Sequence, residues 1–180
     1  MRMGPTLVGL SLAAALFSAA ARADGLSVSP TGLNLGSGDK VASLTVNSAG
    51  SVPTAGQVRV FRWLQKNGSE SLIPTRDVVA SPPAMRLAPG KSMTVRVVRM
   101  SKAPVAAEEC YRILVDQLPG AEQDASAVKF TIRHSVPLCF DAPRQKQLPL
   151  VWSVQRQGDA VVVLGSNGGE RRVVARDVKI

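Results

Sequence analysis

Few residues in this chain have the type and spacing to do acid–base or covalent chemistry, and their pattern argues against catalysis. There is one histidine, His134, and there are two cysteines, Cys110 and Cys139. His134 falls in VKFTIRHSVPLCF on a row of alternating apolar residues, where a packed imidazole is the simpler reading than a general base. Glu108 and Glu109 are adjacent, so on a strand they point to opposite faces and cannot share one substrate. No nucleophile elbow, phosphate-binding loop or dinucleotide fingerprint occurs. Zinc would need more thiolate and imidazole ligands than these. The sequence therefore implies no catalytic group, no metal and no cofactor.

The two cysteines suit a bond instead. Arg2, the apolar run Leu7 to Phe17 and the small-residue site Ala21-Arg22-Ala23 make residues 1–23 a secretory signal peptide, cleaved before Asp24. Its apolar core is too short to span a bilayer and no later stretch is long enough, so membrane insertion is not expected. Export places the cysteines in an oxidising compartment, where a disulfide is favoured over a metal site or a reactive thiol. The formal charge is +9, and losing Arg2 and Arg22 with the leader leaves +7. Export and the scattering of the basic residues argue against nucleic acid and for a solvated basic surface. A preference for acidic or carboxylate-bearing protein partners stays open.

The elements that carry these residues read as strands. In Val128 to Phe140, Phe130, Ile132, His134, Val136 and Leu138 share one face, with Lys129, Thr131, Arg133 and Ser135 on the other. Glu108 to Gln117 is its expected hairpin partner. With Cys110 opposite Cys139, Tyr111 meets Leu138, Ile113 meets Val136, Val115 meets His134 and Asp116 meets Arg133. One register thus satisfies a cysteine pair, an apolar face and a charge pair.

Upstream, LSVSPTGLNL is a strand interrupted at Pro30, and KVASLTVN puts Ala42, Leu44 and Val46 on one face. GQVRVFRWLQ changes phase between Val60 and Phe61, which predicts a bulge or a strand covered on both faces. Asn67-Gly68 marks a hairpin turn, and SPPAMRLAPGKSMTVRVVRM alternates at Met93, Val95 and Val97. Roughly seven strands between turn signals predict an all-β, immunoglobulin-like sandwich over residues 24–144. Asp141 to Gln147 reads as a linker. Residues 145–180 look like three more short strands turning at Gln157-Gly158 and Asn167-Gly168-Gly169, too few for an independent core and so an incomplete second β domain.

Taken in order, five segments resemble the PapD-like periplasmic chaperones of chaperone–usher pilus assembly. LSVSPTGLNL is similar to the family's first strand and SPPAMRLAPGKSMTVRVVR to its Pro-Pro, Leu-x-Pro-Gly, then Arg segment. EECYRILVDQLPG, IRHSVPLCFDAP and LPLVWSVQRQGDAVVVLGSNGG resemble the paired strands and the start of the second domain. The YR pair and the SVP run look most like the archaic or spore-coat branch.

The resemblance implies a non-enzymatic periplasmic chaperone that lends a strand to pilus subunits and hands them to an outer-membrane usher. It implies that Val128, Phe130, Ile132, His134 and Val136 contact the subunit and that Arg96 and Glu108 form an internal ion pair. The family's two basic anchors for the subunit carboxylate align with Gly32 and with Pro137 or Leu138, which leaves Arg112 and Arg133 as the anchor candidates. The alternative, a secreted structural or adhesive sandwich such as a pilus subunit, would need a donor segment before the first strand, where only Asp24-Gly25 stand.

Overall fold

Period-two alternation along most of the chain becomes strands. The computed structural model describes residues 25–66, 68–120, 130–143, 148–175 and 177–179, and among these no helix forms. The strands are β1 (Leu26–Ser29), β2 (Leu33–Leu35), β3 (Val41–Ser48), β4 (Thr54–Lys66), β5 (Ser69–Pro74) and β6 (Val78–Ser81). They continue as β7 (Ala84–Leu87), β8 (Ser92–Arg99), β9 (Glu109–Gln117), β10 (Arg133–Phe140), β11 (Val151–Gln157) and β12 (Ala160–Ser166).

Two sheets face each other. One has the order β1-β3-β8-β6; the other runs β2-β10-β9-β4-β5, with β7 also on β4. Inward rows from both fill the core: Leu44, Val46, Val95 and Val97 from the first, and Tyr111, Ile113, Val115, Val136, Leu138 and Phe140 from the second. Burying each such side chain contributes roughly 1.5–3 kcal/mol. Tyr111 and Phe140 meet edge to face at 5.9 Å, the arrangement that aromatic quadrupoles favour.

The expected first strand is in fact two. Its first half, β1, pairs with β3, and beyond Pro30 the chain crosses to the other sheet, where β2 runs parallel to β10. Gly56 allows this end to close, because a Cβ there would lie 2.8 Å from Leu26 Cδ1. β4 keeps continuous pairing from Thr54 to Lys66 with β7, β9 and β5 in turn. Its phase change is therefore no bulge. Val58 lies in the core, while Trp63, on the opposite face, is covered by arginines.

The chain after the linker departs from expectation. β11 and β12 form a hairpin around Gly158, whose φ of 61° suits the first central residue of a type II′ turn. The third expected strand does not form among the described residues. Arg171 instead pairs with Asp141, and the Arg172 N–H donates to Glu108 Oε2 at 2.8 Å, so this segment follows the end of the sandwich. The hairpin leaves Val151 and Val154 exposed.

Candidate functional site: the open edge of β10

The β9–β10 register is the expected one throughout: Cys139 opposite Cys110, Leu138 opposite Tyr111, Val136 opposite Ile113, His134 opposite Val115 and Arg133 opposite Asp116. Cys110 and Cys139 are bonded, with their Cα atoms 4.2 Å apart. That spacing marks a pair without mutual backbone hydrogen bonds. Consistently, the residue two places before His134 bonds across: Gln117 N–H donates to the Ile132 carbonyl at 2.9 Å. Even-numbered residues of β10 thus bond to β9, and the odd-numbered ones turn their backbone groups the other way.

What lies on that other side changes along the strand. β2 covers only Leu138 to Phe140. Arg133 and Ser135 have no strand partner there among the described residues, and Pro137 brings a carbonyl but no N–H. The side chains follow the same gradient. Leu138 and Phe140 are fully buried and Val136 is 3% exposed, but Ile132 is 39% and Phe130 82% exposed. The inward row runs off the end of the core, leaving two large apolar side chains beside unpaired backbone.

The five residues expected to contact a subunit therefore divide. Phe130 and Ile132 are accessible, and Val128 lies outside the described residues. Val136 packs in the protein's own core. His134 is half-buried, with Nε2 2.6 Å from the Leu26 carbonyl, so it ties β10 to the opposite sheet.

Next to Ile132 a cavity of about 370 Å3 is lined by Gln57, Arg59, Asp116, Thr131 and Arg133. Asp116 accepts from Arg59 Nη2 at 2.7 Å and from Arg133 Nε. Burial pushes its carboxyl upward, but hydrogen bonds from Arg133 and Arg59 outweigh this and hold it below the usual value. Arg133 keeps 60% of its side chain exposed. Arg112 lies elsewhere, on the outer face of β9, its Cζ 3.8 Å from the Trp63 ring and its Nη2 3.7 Å from Glu70. Gly32 and Pro137 are neighbours, a Cβ on Gly32 falling 3.5 Å from Pro137 Cγ, and neither brings a charge.

The expected Arg96–Glu108 pair is corrected. Arg96 is exposed on its sheet, and Glu108 accepts from the Arg172 backbone. The internal pair is Arg99–Glu109: Nε to Oε2 is 2.9 Å and Nη2 to Oε1 3.0 Å, with the Arg99 side chain only 4% exposed. Carbonyls of Ser101 and Ala103 take further guanidinium protons. The hydrogen bond from Arg99 lowers the Glu109 pKa, and burial, then Glu109, pushes Tyr111 up to about 12. The sequence did hold a signal for this pair. Arg99 continues the inward row of Val95 and Val97, and Glu109 that of Tyr111 and Ile113, so facing rows end on opposite charges.

Comparisons with known proteins agree with this architecture. No curated protein matches the chain at the sequence level. Among solved structures, the CsuC chaperone of the archaic Csu pili of Acinetobacter baumannii, seen with the tip adhesion subunit CsuE, is 22% identical with a TM-score of 0.64, over 81% of this chain and 73% of that one. The SafB chaperone bound to the SafA pilin of Salmonella enterica is 20% identical with a TM-score of 0.59, over 80% and 69%. The CupB2 chaperone of Pseudomonas aeruginosa is 16% identical with a TM-score of 0.56, over 80% and 70%. Residues 25–145 match the family described as pili and flagellar-assembly chaperone, PapD N-terminal domain. With its two facing sheets and the half-open strand β10, the chain belongs to that family of pilus-assembly chaperones.

Proposed function

We propose that this protein is a non-enzymatic periplasmic chaperone, exported by residues 1–23, that holds pilus subunits by lending them the open edge of β10 and delivers them to an outer-membrane usher. In this reading residues 24–144 form the subunit-binding domain and 145–180 part of a second β domain. The observation that carries it is the accessible apolar pair Phe130 and Ile132 leading into β10, whose first residues lack a strand neighbour on their outer side among the described residues. A partner strand would complete the ladder at Arg133 and Ser135, and the two side chains would fill its groove. Phe130 would gain roughly 1.5–3 kcal/mol on burial, and Ile132, only 39% exposed, about half of that or less. Both donor and acceptor are protein, so neither ATP nor another cofactor is required.

The carboxylate anchor narrows on this reading. Arg133 stands at the open edge with most of its side chain exposed, whereas Arg112 is separated from that edge by β10 itself. Arg133, with Arg59 beside it, is the group proposed to take a subunit carboxylate.

The test is the double variant Phe130→Glu with Ile132→Glu, expressed with its pilin. It is expected to fold with an unchanged urea midpoint and to lose pilin in pull-down. A variant that folds and still captures the subunit, or one that unfolds, would overturn the assignment.

A further inference from the structure

The two sulfurs of the Cys110–Cys139 bond are not equally covered. Cys139 is 1% exposed and sits between β9 and β2, with Asn34 as its partner in β2. Cys110 is only half-buried, and it helps to line a cavity of about 250 Å3 with Trp63, Gln65, Glu108 and Arg172. Trp63 and Gln65 belong to β4, which flanks β9 on the side away from β10. The cavity therefore reaches Cys110 from the side opposite to Cys139.

That placement bears on one reaction. A thiolate opens a disulfide by attacking one sulfur, in line with the bond that breaks, and displacing the other. The nucleophile must stand either beyond Cys110, over β4, or beyond Cys139, over β2. The first position is the cavity. At the second, β2 is paired to β10 and Cys139 has almost no accessible surface.

We propose that Cys110 is a site of thiol–disulfide exchange, at which a low-molecular-weight thiol enters the cavity beside Trp63 and attacks Cys110 Sγ. The entering thiolate forms a new S–S bond to Cys110. The Cys110–Cys139 bond breaks, and Cys139 leaves with the electron pair and takes a proton from water. A second thiolate then attacks the entering sulfur and releases Cys110 as a thiolate. Two thiols are thereby oxidised to one disulfide, and the protein's disulfide is reduced to two thiols. The surroundings make the first step slow. Cys139 must leave as an anion in a buried place, and a Glu108 carboxylate oxygen lies within 4.8 Å of both sulfurs, so the leaving thiolate is disfavoured and closes the bond again quickly. Arg172 narrows the approach, with its Cζ 4.7 Å from the Trp63 ring centroid and its backbone N–H on Glu108. The exchange site does not depend on the chaperone reading.

The test incubates the oxidised full chain with reduced glutathione at about pH 8, where thiolate is present, and quenches it in acid at early times. Peptide mass spectrometry then locates the mixed disulfide. Glutathione should be found almost only on Cys110, with Cys139 as the free thiol. Reduction by dithiothreitol should proceed at a rate that does not change with urea well below the unfolding midpoint, because the folded chain is the reactant. Glu108→Gln removes the negative charge beside the sulfurs and keeps an acceptor for the Arg172 N–H, and it should speed reduction several-fold. Arg172→Ala opens the approach and should also speed it. Glutathione on Cys139 as often as on Cys110, or a reduction rate that rises with urea in step with unfolding, would overturn the proposal. A rate equal to the parent's in both variants would overturn the cavity as the route to Cys110.

Discussion

β10 and the three residues that lead into it carry one alternating pattern, and its two ends have opposite surroundings. From Val136 to Phe140 the inward side chains meet a facing sheet and β2 covers the outer edge. From Phe130 to Arg133 neither holds, and Phe130 is 82% exposed. Alternation specifies which side chains share a face. Whether that face is covered depends on strands distant in sequence, and here the cover ends part-way along one strand.

The sharpest way to break this contrast is to put the same charge at both ends. Val136→Glu buries a carboxylate without a partner and should cost about 4 kcal/mol or more, enough to unfold a domain of ordinary stability. Phe130→Glu should stay within about 0.5 kcal/mol of the parent. Urea unfolding of both variants checks this. Similar midpoints would mean that the two ends do not differ as described.

A second contrast lies along β8. Arg99→Ala removes one member of a buried pair and leaves Glu109 without its counter-charge, which should cost about 3–5 kcal/mol. Arg96→Ala, on the exposed row, should change stability by less than about 0.5 kcal/mol. Equal effects in thermal or urea unfolding would count against the Arg99–Glu109 assignment. Arg99 is for the same reason unsuitable as a neutral control in binding experiments, and exposed Arg86 serves that purpose.

These contrasts show what was legible in the sequence. The β9–β10 register could be read completely because three independent constraints coincide within a short hairpin: the cysteines, the apolar row, and Asp116 with Arg133. The pair across the sandwich could not, since it joins strands of different sheets. Choosing Arg96 in place of Arg99 changes the face on which the guanidinium lies. The division of the first strand between sheets was hinted at by Pro30, but the partners of each half were set by packing. Trp63 gave only a phase change along β4. Its arginine cover comes from β9 and from a segment more than a hundred residues away, and no local pattern records that meeting.

The disulfide reinforces the buried half of the hairpin. It joins residues 29 apart, and replacing both cysteines by alanine should cost about 3–4 kcal/mol on chain-entropy grounds. The exposed half should be less affected, so amide exchange should accelerate near Cys139 more than at Arg133. Uniform acceleration would show that the bond stabilises both halves alike. Thiol titration of the unreduced, unfolded chain should return no free thiol.

The smallest effect separates the two ion-paired carboxylates by pH and salt. Glu109 and Asp116 both have folded pKa values below their ordinary ones. Each therefore adds stability that is fully present above the unfolded pKa, about 4, and is lost as pH falls through the lower folded value. Glu109 answers to a guanidinium that is only 4% exposed, whereas the partners of Asp116 are 40% and 60% exposed. Solvent screening should leave the Asp116 pairs worth about 1 kcal/mol or less, and added salt should reduce that further. Asp116→Asn should accordingly lower the urea midpoint slightly at pH 7, flatten part of the fall in stability below pH 4, and lose most of its effect in high salt. The contribution of Glu109 should persist better in salt because its partner is only 4% exposed and so less screened. If the acid limb of Asp116→Asn matched the parent at low salt, Asp116 would hold its two arginines in place without contributing to the stability of the exposed end.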